Sequence, residues 1–318
     1  MALIVTGTVG IDSVYTPHGH AEKVLGGSCT YFAAAASFHG PVRIVAVVGG
    51  DFGPAYHETF RKFPAIDLRG LEVRPGSKTF AWGGKYHANM DSRETLFTEL
   101  GVLTEAPPSV PAAYADSEFV FLANTHPGVQ HDLLKQFPRK RLAVADTMDL
   151  WIKTARPELA TLLKAIDGLV LNYDEAELFT GKKNPVTAAR QMVAEFGKGG
   201  AGGGGLLKFV VVKKGEHGAL LIHGEAVAAL PAYPAEKVVD PTGAGDSFAG
   251  GMMGSIAAAA ARGEVKDPTN FELLQRGLVH GTVMASFNIE SFTLGRLLSL
   301  KKEELDAWVR EFAGMVRV

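Results

Sequence analysis

The run Val238-Val239-Asp240-Pro241-Thr242-Gly243-Ala244-Gly245-Asp246 holds the densest chemistry in the chain. Pro241 fixes one backbone angle and carries no N–H. Gly243, Ala244 and Gly245 then present backbone N–H groups with almost no side chain in front of them. A long helix is expected from about residue 244 to 261, because Phe248, Met252, Ile256 and Ala260 recur four apart on one face. A helix that starts there aims the positive end of its dipole at those N–H groups. Such a loop suits an anion, above all a phosphoryl group carrying transition-state charge. Asp246, at the mouth of the loop, is placed to take the proton of an attacking alcohol. At an ordinary pKa of about 4 it is ionised at neutral pH. An isolated Gly-x-Gly-Asp would read only as a helix-start acid; the flanking residues favour catalysis.

Elements of the right kind surround this loop. Apolar, β-rich runs recur at 3–9, 43–48, 118–123, 141–145, 168–171, 209–212 and 219–222. Most are continuous rather than alternating, as in strands buried on both faces. Helical segments separate several of them. Ser28 is expected to cap a helix running through 33–36, and Asp174 to cap 175–179, ending at Gly181. The pattern predicts a mostly parallel sheet covered by helices on both sides. Segments 11–25 and 71–100 break the rhythm: they look extended and turn-rich. Thr79-Phe80-Ala81-Trp82-Gly83-Gly84-Lys85-Tyr86 has strand composition and 87–93 reads as a hairpin turn. Either a small separate β-sheet or two long surface loops would account for them. Gly202 to Gly205 read as flexible linker.

The bulk properties narrow the function classes. The chain has 318 residues, 47% hydrophobic and 21% charged, enough for one large domain with a substantial core. A net charge of −2 gives no footprint for nucleic acid or an anionic membrane. Cys29 is the single cysteine, which rules out an internal disulfide and fits a reducing compartment. No apolar run reaches the roughly 18 residues of a membrane span, and Met1-Ala2-Leu3-Ile4-Val5-Thr6-Gly7 reads as a strand rather than a signal peptide. A cytoplasmic location is expected.

The loop ending at Asp246 resembles the signature of the ribokinase, or PfkB-type, carbohydrate kinases, a family that includes nucleoside kinases. Further matches follow in the family's order: Gly26-Gly27 before an alanine-rich helix, Val48-Gly49-Gly50-Asp51-Phe52-Gly53, Leu171-Asn172-Tyr173-Asp174-Glu175, and Val212-Lys213-Lys214-Gly215-Glu216-His217-Gly218-Ala219. The resemblance covers nearly the whole chain. It implies one three-layer α/β/α domain, residues 1–318, with a small β-sheet lid drawn from 11–25 and 71–100. It implies transfer of the γ-phosphoryl of ATP, with Mg²⁺, to the hydroxymethyl group of a sugar, or alternatively of a nucleoside. A non-catalytic nucleotide- or sugar-binding regulator is disfavoured, because a pure binder has no need of the base. A dinucleotide-binding oxidoreductase lacks its glycine turn after the first strand.

Roles follow from the same resemblance. Gly243, Ala244, Gly245 and Asp246 form the catalytic loop. Asp12, Gly26, Gly27, Tyr31 and Asn124 face the substrate. Tyr31 stands where many relatives have asparagine, and it or Phe32 either stacks on the substrate or packs inward. Asn124 either bonds the substrate or caps its loop. Asn172, Lys213, Gly215, Gly218 and His280 serve the nucleotide. Asn172 and Glu175 hold Mg²⁺ through water or simply start a helix. Asp240 and Thr242 serve a monovalent cation such as K⁺, or Asp240 caps the loop. Phe80, Trp82 and Tyr86 cover a substrate or form a homodimer interface through the lid.

Overall fold

The computed structural model describes residues 2–200 and 204–316. Its strands are β1 (Leu3–Thr6), β2 (Gly10–Thr16), β3 (Gly19–Gly26), β4 (Val42–Gly49), β5 (Ile66–Arg74), β6 (Phe80–Tyr86), β7 (Arg93–Glu99), β8 (Phe119–Leu122), β9 (Leu142–Asp146), β10 (Gly168–Asn172), β11 (Phe209–Lys213), β12 (Ala219–His223) and β13 (Ala226–Leu230). Nine of them form the main sheet, in the order β13-β12-β11-β10-β9-β8-β1-β4-β5. Every pairing from β11 to β5 is parallel, while β12 and β13 add antiparallel. Strand β1 shows why the apolar runs are continuous. Leu3 and Val5 enter one core and Ile4 the other, so each face of the strand is buried.

Helices Ser28–Ala36, Ala244–Ala261 and Phe271–Ile289 cover the first face. Pro127–Leu134, Arg156–Leu163, Tyr173–Thr180 and Pro185–Phe196 cover the second. The helix from Ala244 to Ala261 buries Phe248, Met252, Ile256 and Ala260, as its periodicity requires. Two capping expectations fail. Gly27, not Ser28, occupies the N-cap, because the Ser28 hydroxyl is engaged with Thr8. Asn172, not Asp174, caps the helix Tyr173–Thr180.

A second, four-stranded sheet has the order β3-β2-β6-β7. It consists of two antiparallel hairpins joined by a parallel β2–β6 pairing. Residues 71–74 do not belong to it: they end β5, on the edge of the main sheet, where Leu71 pairs with Ala46 and Arg74 with Gly49. An edge strand has one neighbour and an exposed flank, so Asp67, Arg69, Glu72 and Arg74 disguise it as loop. The turn at 49–53 moors the small sheet. Asp51 Oδ1 accepts from the Thr79 N–H and hydroxyl, both at 2.8 Å, just before β6 begins.

Gly202 and Gly203 lie outside the described residues. Gly205 is no free linker, since its N–H donates to the Gly197 carbonyl at 3.1 Å. Among the described residues, no helix is long and apolar enough to cross a membrane.

Candidate active site

The anion loop is built as its residues demand. Gly243 adopts φ 76° as the N-cap of the helix Ala244–Ala261, a left-handed conformation that favours glycine. A Cβ at Gly243 would also fall 2.2 Å from the Tyr31 ring. Asp240 holds the loop from below: Oδ1 accepts from the Thr242 N–H and Oδ2 from the Thr293 N–H, each at 2.9 Å. Asn288, which the sequence did not single out, donates to the Thr242 carbonyl at 2.8 Å and accepts from Ser247 at 3.0 Å. Both carboxylate oxygens of Asp240 and the Thr242 carbonyl are thus already engaged by donors. They make a loop brace.

Three neighbouring parallel strands bring charge to the mouth of this loop. β9 ends in Asp146, β10 in Asn172 and β11 in Lys213, with Asn172 and Lys213 in register. The Lys213 Nζ lies 2.6 Å from the position a Cβ of Gly245 would take, directly over the loop. Asp246 is half-buried. Burial pushes its carboxyl up to about 6, opposed by Lys213, by its own backbone N–H and by Arg93, with Glu175 adding to the rise. The sequence had assigned it an ordinary carboxylate value. Asp146 is buried, and among the described residues its Oδ1 has no hydrogen-bond partner. Burial first, and Asp246 second, drive it well above the carboxylate range.

Asn172 and Glu175 close a reciprocal capping box. Asn172 Oδ1 accepts from the Glu175 N–H and Glu175 Oε2 from the Asn172 N–H, both at 2.8 Å. Among the described residues there is no group of three or more His, Cys, Asp or Glu arranged to hold a metal. The remaining oxygens, Glu175 Oε1 and the orphaned Asp146 Oδ1, fit Mg²⁺ held through water and substrate phosphate rather than by a protein cage.

At the other end of the cleft, Asp12 in β2 is 4% exposed. Burial pushes it up to about 7, the Gly27 N–H (3.3 Å from Oδ2) resisting. A Cβ at Gly26 would stand 1.9 Å from that same oxygen, so only glycine lets the carboxyl in. Tyr31 does not offer a free stacking face, because its ring packs on Gly243 and the residue is 1% exposed; among the described residues its hydroxyl has no partner. Phe32 stacks on Phe121 at 4.4 Å inside the core. The Asn124 side chain bonds across to the segment after β9: Oδ1 accepts from Trp151 Nε1 at 2.9 Å, and Nδ2 reaches Met148 Sδ at 3.1 Å. It therefore positions Trp151, which sits edge-on to His126 at 5.2 Å.

In the loop after β11, Gly215 and Gly218 adopt φ 54° and 84°. A Cβ at Gly218 would meet the Leu230 carbonyl at 2.0 Å, so that glycine closes the turn against β13. The small sheet reaches over the cleft. The Thr242 hydroxyl donates to the Tyr86 hydroxyl at 3.2 Å, and Phe80 and Trp82 pack onto Gly10 and Gly84.

His280 is not brought to the site. It lies in the helix Phe271–Ile289 and meets His39 edge-on at 4.9 Å, its Nδ1 unpartnered among the described residues. Its charged surroundings are Lys302, Asp306, Arg262 and Arg276. Burial pushes it down to about 4, and His39 also falls well below the usual range through burial and His280. The folded state therefore binds fewer protons than the unfolded chain. Stability from this pair is complete above the free-histidine value of about 6.5 and is lost as pH falls towards about 4. We expect the melting temperature of His280→Asn to fall less between pH 7.5 and 5.0 than that of the parent protein. Equal losses would show that the pair carries no such linkage.

The arrangement thus combines an anion loop, a carboxyl at its mouth, a lysine over the loop and a second carboxyl across the cleft. The profile of the pfkB family of carbohydrate kinases matches residues 12–267. The chain is 31% identical over 260 residues to a cytidine kinase of Thermococcus kodakarensis, covering 79% of this chain and 87% of the relative. A Burkholderia thailandensis nucleoside kinase, solved in complex with inosine, superposes with TM-score 0.76 at 16% identity, covering 99% and 98% of the two chains. Ribokinase from Giardia lamblia gives TM-score 0.78 at 18% identity, covering 96% and 99%.

Proposed function

Because this chain belongs to the pfkB family of carbohydrate kinases, we propose that it transfers the γ-phosphoryl of ATP to the hydroxymethyl group of a nucleoside, with cytidine the first candidate. Phosphotransfer to an alcohol is the family's chemistry. The choice of a nucleoside over a free sugar rests on the likeness to the cytidine kinase. The rings of Trp151, His126 and Trp82 agree with it, since a base can stack on such surfaces. A free sugar is the second reading, supported by the family and by the ribokinase-like fold.

In this reading Asp12 accepts hydrogen bonds from the substrate hydroxyls and thereby aims the reacting one at Asp246. Asp246 takes the hydroxyl proton. The freed oxygen bonds to the γ-phosphorus as the bond to the β-bridging oxygen breaks, and ADP departs. Backbone N–H groups of residues 243–245 and the Lys213 ammonium receive the charge on the transferring group. Glu175 and Asp146 would hold Mg²⁺ through water, with Asn172 fixing Glu175 through the capping box, and the bound ion would neutralise phosphate charge. A homodimer through the small sheet belongs to the same reading: edge strand β7, with Leu96 and Phe97 exposed, is the surface it would bury.

The test is ADP release from Mg-ATP with a panel of nucleosides, ribose and sugar acids. We expect kcat/KM for cytidine at least about tenfold above that for ribose, the base supplying the difference. Turnover confined to a free sugar would overturn the nucleoside assignment.

A further inference from the structure

The helix Ser28–Ala36 begins without a cap of its own. Its N-cap is Gly27, and no side chain of the N-cap bonds the first turn. Neither Gly26 nor Gly27 has room for one. A Cβ at Gly26 would fall 1.9 Å from Asp12 Oδ2, and one at Gly27 would fall 2.6 Å from the Thr8 carbonyl oxygen. The close approach of Asp12 thus leaves the first N–H groups of the helix without the usual acceptor.

Thr8, in the turn between β1 and β2, supplies what is missing. Its hydroxyl accepts from the Ser28 N–H at 3.1 Å, and its carbonyl accepts from the Cys29 N–H at 2.9 Å. Ser28 reciprocates. Its hydroxyl accepts from the Thr8 N–H at 3.2 Å, and the two hydroxyls meet at 3.0 Å. The Ser28 hydroxyl also donates to the Asn124 carbonyl, at a longer 3.4 Å. One proton arrangement satisfies the whole set: Ser28 donates to Asn124 and Thr8 donates to Ser28, within the capacity of each hydroxyl. Thr8 and Ser28 are each 7% exposed, so water competes little for these groups.

The pair joins the segments that build the acceptor end of the cleft. Asp12 lies four residues after Thr8, and Gly27, whose N–H is 3.3 Å from Asp12 Oδ2, lies directly before Ser28. The strand that bears the carboxyl and the helix start that bears its donor are therefore held to each other by the same two hydroxyls. We propose that Thr8 and Ser28 are positioning residues for the acceptor: their paired hydroxyls set Asp12 against the Gly27 N–H and so aim the carboxyl at the acceptor hydroxyls. They act through Asp12 and leave the anion loop alone. The inference rests on the reading of Asp12 as the group that orients the acceptor.

The experiment compares Thr8→Val, which keeps the shape and deletes the hydroxyl, with Thr8→Ser, which keeps the hydroxyl, using the acceptor that the parent phosphorylates. In Thr8→Val the acceptor kcat/KM should fall by at least about tenfold, while ADP affinity measured by calorimetry stays within about twofold. Thr8→Ser should recover most of the loss. Ser28→Ala, which adds no bulk, should reproduce the effect of Thr8→Val. A pH profile separates positioning from simple support. Burial holds the Asp12 carboxyl at about 7, with the Gly27 N–H opposing the rise and Asp240 and Asp246 adding to it. The buried Tyr31 hydroxyl also faces it. Asp12 accepts as the carboxylate, so kcat/KM of the parent should fall as pH drops through about 7. With the Gly27 donor displaced, that limb should move to higher pH by about half a unit or more in Thr8→Val and Ser28→Ala, and return in Thr8→Ser. A lower melting temperature with unchanged kcat/KM and an unmoved limb overturns the proposal. So does an equal loss of acceptor and ADP binding. A parent inactive on every alcohol of the panel overturns the underlying reading as well.

Discussion

Replacing Asp246 by Asn should cut turnover by at least about a thousandfold while nucleotide binding stays near normal. Asn keeps the shape but accepts no proton, and general-base catalysis of this kind contributes about 10² to 10⁴ in rate. The variant also removes a half-buried negative charge that Asp146 and Glu175 oppose, so its fold should not suffer. A second readout comes from pH. Asp246 is active as the carboxylate, and burial holds its carboxyl at about 6. The kcat of the parent, read with the acceptor saturating so that Asp12 is already held by substrate hydroxyls, should therefore be flat at neutral pH and fall as pH drops through about 6. In Asp246→Asn the residual rate should lack that acid limb. Near-parental turnover, or an acid limb that survives in the variant, would remove Asp246 from the role of base.

Gly243→Ala carries the second-largest expected effect, through geometry alone. The position has φ 76°, where a Cβ costs about 1–2 kcal/mol. That Cβ would also stand 2.2 Å from the Tyr31 ring, which is fully enclosed and cannot retreat. The loop must shift instead, moving its N–H groups off the phosphoryl path. A misplacement of about 1 Å is enough for a hundredfold loss in kcat. Gly245→Ala is the control. Its Cβ meets only the far end of the Lys213 side chain, at 2.6 Å, which can swing away. We expect Gly243→Ala to lose at least about tenfold more activity than Gly245→Ala. The reverse order would show that the Tyr31 contact does not shape the loop.

The two glycines also show where sequence reading reaches its limit. Both are legible as parts of an anion loop, because backbone N–H groups at a helix start are a local feature. Which of them tolerates a side chain is not legible, since Tyr31 lies more than two hundred positions away. Tyr31 itself read as either a substrate-stacking ring or a core residue. The structure makes it the wall behind Gly243. Asn172 and Glu175 were legible as a helix start, and the capping box is that reading in three dimensions. Their proximity to Asp146 was not, because it arises from the parallel pairing of β9 with β10.

His280 failed for a related reason. A position matched along a helix says nothing about which neighbour the side chain meets, and here the neighbour is His39. Asn288 gave no signal, being an ordinary polar residue in a helix.

By itself the sequence determined the alternation of buried strands and helices, the loop ending at Asp246 and two extended, turn-rich segments outside that alternation. Each is encoded within a few residues of itself, by periodicity, glycine placement and turn chemistry. Only the tertiary structure decided that Asp246 is a carboxyl shifted by burial rather than an ordinary one. It alone set Lys213 over Gly245, and it alone brought the small sheet to Thr242. Those properties depend on solvent exclusion and on charges contributed by distant strands, and neither quantity exists until the chain has folded.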